Sequence, residues 1–482
     1  MSISLGLDFG TTSISAVAVA ENGRLVARST RQHRADVAGL PTGHAEQSSE
    51  PLLKAACDAL AELIKGLSEP PICLGMTGQM HGVLLADANC RPLSNLITWQ
   101  DKRSLERSDT GQTWLDRFRA LCDPAAVLRT GCTPSPGYLA VTLFTLQQQN
   151  QIPVATKHAL ILADWAAATL TGTSPVNDRT NAASTGVYDL ERDDWSDLIE
   201  AVGLPRAFFP PVVESGRIIG GLTAEFAAAT RLPAGLPVCG AIGDHQAAVL
   251  GSLPPGENAV QVNIGTGGQV SLPIGSFRRA PTSDTRFLPD DRFLLVGAGL
   301  AGGDAYAWVR RTFGNWLESA GVCRTDDELF DTVNRLADNI PPGCDGLRCE
   351  PYFRGTRREP ERRGGFSGIS TGNFTPGHVA RSILEGIADA LAGFVREHAA
   401  HEDGSRSFDH VIATGNAVRR NPLLAACLAR AFDRPVYVPE HEEEAAYGAA
   451  ILAGVRTGLW PDLKTIGGRF RLTCAASSDD RD

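Results

Sequence analysis

"LGLDFGTTSISAVAVAENGRLVAR", residues 5–28, is the stretch on which the fold turns. Residues 3–8 alternate apolar and small side chains, and residues 14–19 run ISAVAV. The Asn22-Gly23 pair then separates ISAVAV from RLVARST, a strong signal for a tight hairpin. The chain therefore opens as a three-stranded antiparallel meander. Its first tip carries Asp8, Gly10, Thr11, Thr12 and Ser13. Gly10 alone is an ordinary turn residue. An acid, a glycine and three hydroxyls together also suit a phosphate and a metal ion. Backbone N–H groups and hydroxyls converge at such a tip, and a neighbouring carboxylate holds Mg²⁺ through water. On this segment alone, a plain turn and a phosphate cradle both stay open.

The pattern returns at 258–275, NAVQVNIGTGGQVSLPIG. Asp8-Phe9-Gly10-Thr11 and Asn263-Ile264-Gly265-Thr266 match in register. This duplication predicts two similar domains facing each other across a cleft, each offering a hairpin tip. Two tips suit a chain of phosphates, and no Walker pattern G-x-x-x-x-G-K-[ST] is present. SLPPGENA, 252–259, reads as a linker. The expected division is an N-terminal domain over 1–251 and a C-terminal domain over 252–482.

The bulk numbers agree with this division. At 482 residues the chain exceeds what one core usually serves. The formal charge of 45 − 55 = −10 argues against nucleic acid as a partner. No apolar run spans a bilayer, and no basic start with an apolar segment marks a secretory signal. The 11 cysteines form no C-x-x-C pair, so they read as reduced thiols of a cytoplasmic protein rather than a metal site.

Further along, Glu50 to Ile64 takes helical spacing, with Pro51 suited to a first turn. PICLGMTGQMHGVLLAD, 71–87, reads as strand, glycine turn and strand. Alanine-rich helical stretches fill most of 140–170. LPVCGAIGDHQAAVLG, 236–251, reads as a buried strand, a tight turn at Gly243, and a helix starting at Asp244. RSILEGIADALAGFVREHA is a patterned helix, and FDHVIATGNAVRRNPLLAACLARAF is an α/β unit. The polar tail TCAASSDDRD reads as frayed.

Asp244 has two readings. Aspartate is a common helix cap. A carboxylate at a strand end is also placed where α/β domains bind ligands. There it can accept the proton of an attacking hydroxyl, which phosphoryl transfer asks of an ordinary acid. GMTGQMHG, 75–82, sets Gln79, Met80 and His81 in a glycine-flanked turn, and TWQDKR, 98–103, groups Trp99, Gln100, Asp101 and Lys102. Donors, acceptors and one apolar wall are the lining a polyol needs. Each residue singly also suits a structural role.

Taken in order, these motifs resemble the FGGY family of carbohydrate kinases along nearly the whole chain. The resemblance rests on LGLDFGTTS, GMTGQMHGVLL, NLITWQDKRS, DWAAATLTG, NDRTNAASTGVYDL, AIGDHQAAVLG, VNIGTGGQVSL, GAGLAGGDAYAWV and VIATGNAVRRNPLL. Heat-shock chaperone ATPases share a hairpin like the first, so the order and spacing of the series distinguish the family. The resemblance implies an α/β fold of two actin-like, ribonuclease-H-like ATPase domains facing a central cleft. It implies ATP with Mg²⁺, transfer of the γ-phosphoryl group to a sugar hydroxyl, and domain closure that excludes water.

By position, the resemblance makes Asp244 the general base and a substrate contact, with Asp8 and Asp244 the carboxylates on the metal side. Gly10, Thr11, Thr12 and Ser13, with Gly265 and Thr266, correspond to phosphate hairpins. Gly302 and Gly303 fall in a nucleotide-contact segment, and Gly415, Asn416 and Asn421 in the adenosine turn. Gln79, Met80 and His81 lie where family members contact sugar, and Asp101 lies in the adjoining motif. Two departures stand out. Asn416 replaces the second glycine of the adenosine turn. GYLAVTLF, 137–144, replaces the frequent APKL, so no sugar contact is carried over to Tyr138.

For the acceptor, GQMHG is similar to ketose kinases and unlike glycerol kinases. ITWQDKR, NDRTNAAS, GDHQAAVLGS and PYFRGTRREPERRGGFSGISTGNFTPGHVARSILEGIADAL are similar to sedoheptulokinases. The expected reaction is phosphorylation of sedoheptulose at its terminal C7 hydroxyl, with xylulose to xylulose 5-phosphate as the alternative. From another class, an actin-like or heat-shock-chaperone-like ATPase that binds proteins is the rival. It leaves GQMHG and WQDKR without a role, and the residues after the second domain leave no room for a peptide-binding domain. The expected partners are the sugar and ATP, with no nucleic acid and no membrane; pairing into a homodimer is left open.

Overall fold

The computed structural model describes residues 2–279, 282–353, 355, 359, 361–399 and 408–477. Arg354, Thr356 to Arg358 and Pro360, within the PYFRGTRREP stretch quoted above, lie outside the described residues, as does 478–482 in the tail. The chain divides into two compact units. The first is Met1–Gly256, Ile274–Leu294 and His441–Phe470; the second is Glu257–Pro273, Leu295–Glu440 and Arg471–Asp482. These are a different cut from a linear division at 251/252, because two later segments return to the first unit. Among the described residues no helix is long and apolar enough to cross a membrane, and no disulfide joins any of the 11 cysteines.

In the first unit, β1 (Ile3–Phe9), β2 (Ser13–Ala20) and β3 (Leu25–Gln32) form the antiparallel meander. Pro71–Gly78 pairs in parallel with the other side of β1, and Pro237–Cys239 pairs in parallel with Pro71–Gly78. Helix α1 (Ser49–Ile64) covers β2 and β3 with Leu52, Ala56, Leu60 and Leu63, spaced at three and four residues.

A second helix, Glu444–Arg456, lies on the sheet without intervening side chains. A Cβ on Gly6 would overlap the Ala446 carbonyl, and one on Gly75 the Ala449 carbonyl. The same helix crosses Asp244–Ser252 at Gly251 and Gly448, where either Cβ would overlap the facing backbone. Glycine is needed here for close approach rather than for torsional freedom.

The helical expectation for 140–170 is interrupted. Helices Leu139–Gln148 and Leu162–Thr171 flank a strand, His158–Leu160, that pairs with Leu84–Ala86. Asn150, at φ 55°, lies just beyond the first of these helices.

In the second unit, Ala259–Ile264 pairs antiparallel with Gly268–Ile274 and parallel with His410–Thr414. Val436–Pro439 and Leu472–Ala476 complete that side. This repeats the pairing of β2, β1 and Pro71–Gly78, so the duplicated sequence is also a duplicated topology. The described part of the tail differs from its reading. Thr473 to Ala476 form an edge strand rather than a frayed end, because the backbone of Val436–Pro439 offers them a ladder.

Candidate active site

Three strand ends meet in the first unit. Phe9 is in register with Gly78, and Gly78 with Gly243. All three strands run parallel, so the 10–13 tip, the 79–81 turn and Asp244 leave the sheet at one edge. This is the carboxyl edge, where α/β sheets bind ligands.

Asp8 is the penultimate residue of β1, half-buried, and its Oδ1 is shielded without a hydrogen-bond partner among the described residues. Its carboxyl is pushed up to about 8, chiefly by burial, then by the carboxylate of Asp244 and that of Glu443. Glu443 is unforeseen in the sequence; it precedes Glu444–Arg456 in a left-handed conformation at φ 64°. Asp244 is the first residue of its helix, and the cap position belongs to Gly243. Capping is therefore not what fixes Asp244. Its Oδ1 accepts the His245 N–H at 2.7 Å, and burial pushes its carboxyl up to about 6 against that bond.

The other tip residues are held from below. Gln79 donates its backbone N–H to Phe9 O at 2.9 Å and its Nε2 to Gln47 Oε1 at 2.9 Å. Gln47 Nε2 in turn donates to Thr11 O at 2.8 Å. Trp99, 41% exposed, donates Nε1 to Thr11 Oγ1 at 3.1 Å. Thr12 is exposed and Ser13 half-buried. Gln79 is thus buried beneath the tip.

Met80 packs under Gly243, where a Cβ would come within 2.6 Å of its Cε. His81 is left-handed at φ 72°, with Nδ1 2.7 Å from Ser184 O. Its ring stacks on Tyr138 at 4.2 Å, and Tyr138 OH accepts Arg286 Nη2 at 3.1 Å. Neither Tyr138 nor Arg286 was expected at this turn. Arg286 reaches it from the 274–294 return segment, which no local pattern signals.

Asp101, in the motif adjoining the sugar turn, is bonded within the protein. It is 1% exposed, accepts Arg103 N–H and Nε at 2.9 Å and Nη2 at 3.0 Å, and also accepts Ala45 N–H at 2.9 Å. Both oxygens serve to anchor the loop that carries Trp99.

In the second unit, the tip from Gly265 to Gly267 is exposed. Gly303 N–H donates to Gly265 O and Asp304 N–H to Thr266 O, both at 2.9 Å. The tip is thereby locked to the start of helix Gly303–Ser319. A Cβ on Gly302 would overlap the Gly267 backbone, and one on Gly303 would lie 2.6 Å from Gly265 O. Gly415, at φ 90°, sits against Asn263 Oδ1, where a Cβ would be 2.8 Å away. Asn416 is exposed beside it. Asn421 is 3% exposed; its Oδ1 caps Pro422–Phe432 by accepting Leu424 N–H at 3.3 Å, and its Nδ2 donates to Asn334 Oδ1 at 3.1 Å.

These features accompany matches to both family domains. The model of the FGGY family of carbohydrate kinases, N-terminal domain, matches residues 3–251, and that of the C-terminal domain matches 265–457. The chain belongs to the FGGY family of carbohydrate kinases. This FGGY kinase is 29% identical to a glycerol kinase of Trichlorobacter lovleyi, over 97% of this chain and 92% of that one. It is 27% identical to the human sedoheptulokinase, over 93% and 97%. The crystal structure of a xylulose kinase from Rhodospirillum rubrum superposes with a TM-score of 0.86 at 26% identity, covering 98% of this chain and 93% of that one. The kinase accordingly has the two-domain α/β fold of actin-like ATPases and uses ATP. Membership removes the protein-binding ATPase reading.

Proposed function

We propose that this FGGY kinase transfers the γ-phosphoryl group of ATP to the terminal hydroxyl of a ketose, converting sedoheptulose to sedoheptulose 7-phosphate. The observation that carries the reading is the shared register of Phe9, Gly78 and Gly243, which sends Asp8, the 79–81 turn and Asp244 to one sheet edge. Asp244 accepts a hydrogen bond from the terminal hydroxyl and takes its proton as the new P–O bond forms. His81, stacked on Tyr138, lines the acceptor side, with Trp99 as the apolar wall. The tips at Gly10 to Ser13 and at Gly265 and Thr266 offer backbone N–H groups to phosphate oxygens. Gly302, Gly303, Gly415 and Asn416 shape the nucleotide side.

The donor set also suits Mg²⁺. Asp8 Oδ1 is shielded and unpartnered among the described residues, and its carboxyl sits under the repulsion of Asp244. A divalent ion there relieves both costs, and Mg²⁺ favours one or two carboxylates plus phosphate oxygens. Asp8 and Asp244 are the residues that would hold it. The chemistry it supplies when bound is neutralisation of phosphate charge.

The choice of sedoheptulose rests on the ITWQDKR and NDRTNAAS segments and on the likeness to the human sedoheptulokinase. The likeness to the xylulose kinase structure supports xylulose as the second reading. ADP release with Mg-ATP across sedoheptulose, D-xylulose, D-ribulose, L-ribulose and glycerol decides between them. The highest kcat/KM is expected on sedoheptulose; a clear preference for xylulose reverses the choice and leaves Asp244 in place.

A further inference from the structure

The segment NDRTNAAS, 177–184, has so far been only a mark of resemblance. In the structure it is a six-residue helix, Arg179–Ser184, capped by Asp178 and buried from Thr180 to Ser184. Two of its side chains reach the strand that launches Asp244. Asn181 Nδ2 donates to Ala241 O at 2.9 Å and to Asp164 Oδ1 at 3.0 Å. Thr180 Oγ1 accepts the Gly243 N–H at 2.8 Å and donates its own proton to Asp178 Oδ1 at 2.6 Å.

Asp178 is braced in turn. Its Oδ1 also accepts Thr180 N–H at 2.8 Å and Ser215 Oγ at 2.9 Å, and its Oδ2 accepts Gly216 N–H at 3.3 Å. The strand so held is two residues long, Ile242–Gly243, and among the described residues it pairs with Thr77 and Gly78. Gly243 has no side chain by which packing could fix it. Met80 packs beneath it, and the Thr180 hydroxyl is the side-chain group that hydrogen-bonds its amide. At the other end of the helix, Ser184 O takes the contact with His81 Nδ1 at 2.7 Å. One rigid turn of helix thus sets the separation between the sugar-side turn and Asp244.

We propose that Thr180 is a positioning residue for phosphoryl transfer. Its hydroxyl, clamped between the Gly243 amide and Asp178, aims Asp244 at the acceptor. The proposal rests on Asp244 acting as the base. A shift of Asp244 by about 1 Å is enough to cost about a hundredfold in rate.

The test is Thr180→Val, Thr180→Ser and Thr180→Cys, each made in the natural sequence and in Asp244→Asn. It reads kcat, both KM values and the thermal midpoint. Thr180→Val keeps the volume and removes the hydroxyl; kcat is expected to fall about a hundredfold with KM for ATP unchanged. Thr180→Ser restores most of the turnover. Thr180→Cys, which packs but hydrogen-bonds weakly, serves if the valine variant does not fold, and loses turnover in the same direction. In Asp244→Asn none of the three adds a further loss. A Thr180→Val enzyme of natural kcat overturns the role, and so does a loss of equal factor in Asp244→Asn. A serine variant no better than valine overturns it too. Natural turnover in Asp244→Asn alone instead overturns the assignment of the base.

Discussion

His81 lies flat on Tyr138, with ring centroids 4.2 Å apart and planes 9° from parallel. Arg286, itself paired with Asp284 at 3.0 Å, holds the phenol from the far side. Three segments distant in sequence thus build one wall. Tyr138→Leu removes the surface that fixes the His81 ring. It is expected to raise KM for the sugar about tenfold, the scale of one lost stacking contact, and to leave KM for ATP unchanged. Steady-state kinetics with each substrate varied check this.

The glycine pair at the second tip gives the converse selectivity. Gly302→Ala drives a methyl group into the Gly267 backbone. The tip must move, and KM for ATP is expected to rise at least tenfold while KM for the sugar stays within error. Thr266→Val is milder: it removes one hydroxyl from the same tip and is expected to raise KM for ATP several-fold.

The pH profile follows from Asp244. Its carboxyl is pushed up from 3.8 to about 6 by burial. The ionised form is the base, so protonation removes activity as pH falls. The kcat/KM for sugar is expected to drop tenfold per unit below about 6, rather than below the ordinary aspartate range. Asp244→Asn is expected to abolish most turnover while ATP still binds, as measured by calorimetry.

Asp8 governs the divalent ion. Asp8→Asn removes the charge that a cation would offset, and the Mg²⁺ concentration for half-maximal rate is expected to rise at least tenfold. A Mg²⁺ titration at saturating ATP reads this directly. An unchanged midpoint places the ion elsewhere.

Packing gives a stability prediction. Gly448→Val forces a branched side chain into the Ala247 carbonyl, where neither helix backbone can yield. The loss is expected to exceed about 3 kcal/mol, seen as a lowered thermal midpoint or as insoluble protein.

Much of this was legible in the sequence, for local reasons. The Asn22-Gly23 turn, the alternation of β1 and β2, and the repeated tip at Gly265 are short-range signals, and they form as read. The Asp244 helix start was equally local. What was not legible depends on chain returns. Arg286 and Glu443 reach the first unit from segments after 270, and no periodicity announces where such segments go. The partners of Asp101 and Asn421 were not legible because residue type says nothing about whether an oxygen is already taken. Arg103 sits two residues beyond Asp101, yet a fork closing on both its oxygens becomes visible only in three dimensions.

The helix Glu444–Arg456 bears on how the protein is made. Ser4 Oγ donates to Ala450 O, a bond between residues 446 positions apart. A ribosome adds about 5–20 residues per second. The emerging chain therefore carries β1 for roughly 20–90 s before its covering helix exists. Throughout that interval Gly6 and Gly75 lack the helix backbone that packs directly on them. The first unit is thus completed only once its last segment, His441–Phe470, has been synthesised, which makes that segment a late closing step of its folding.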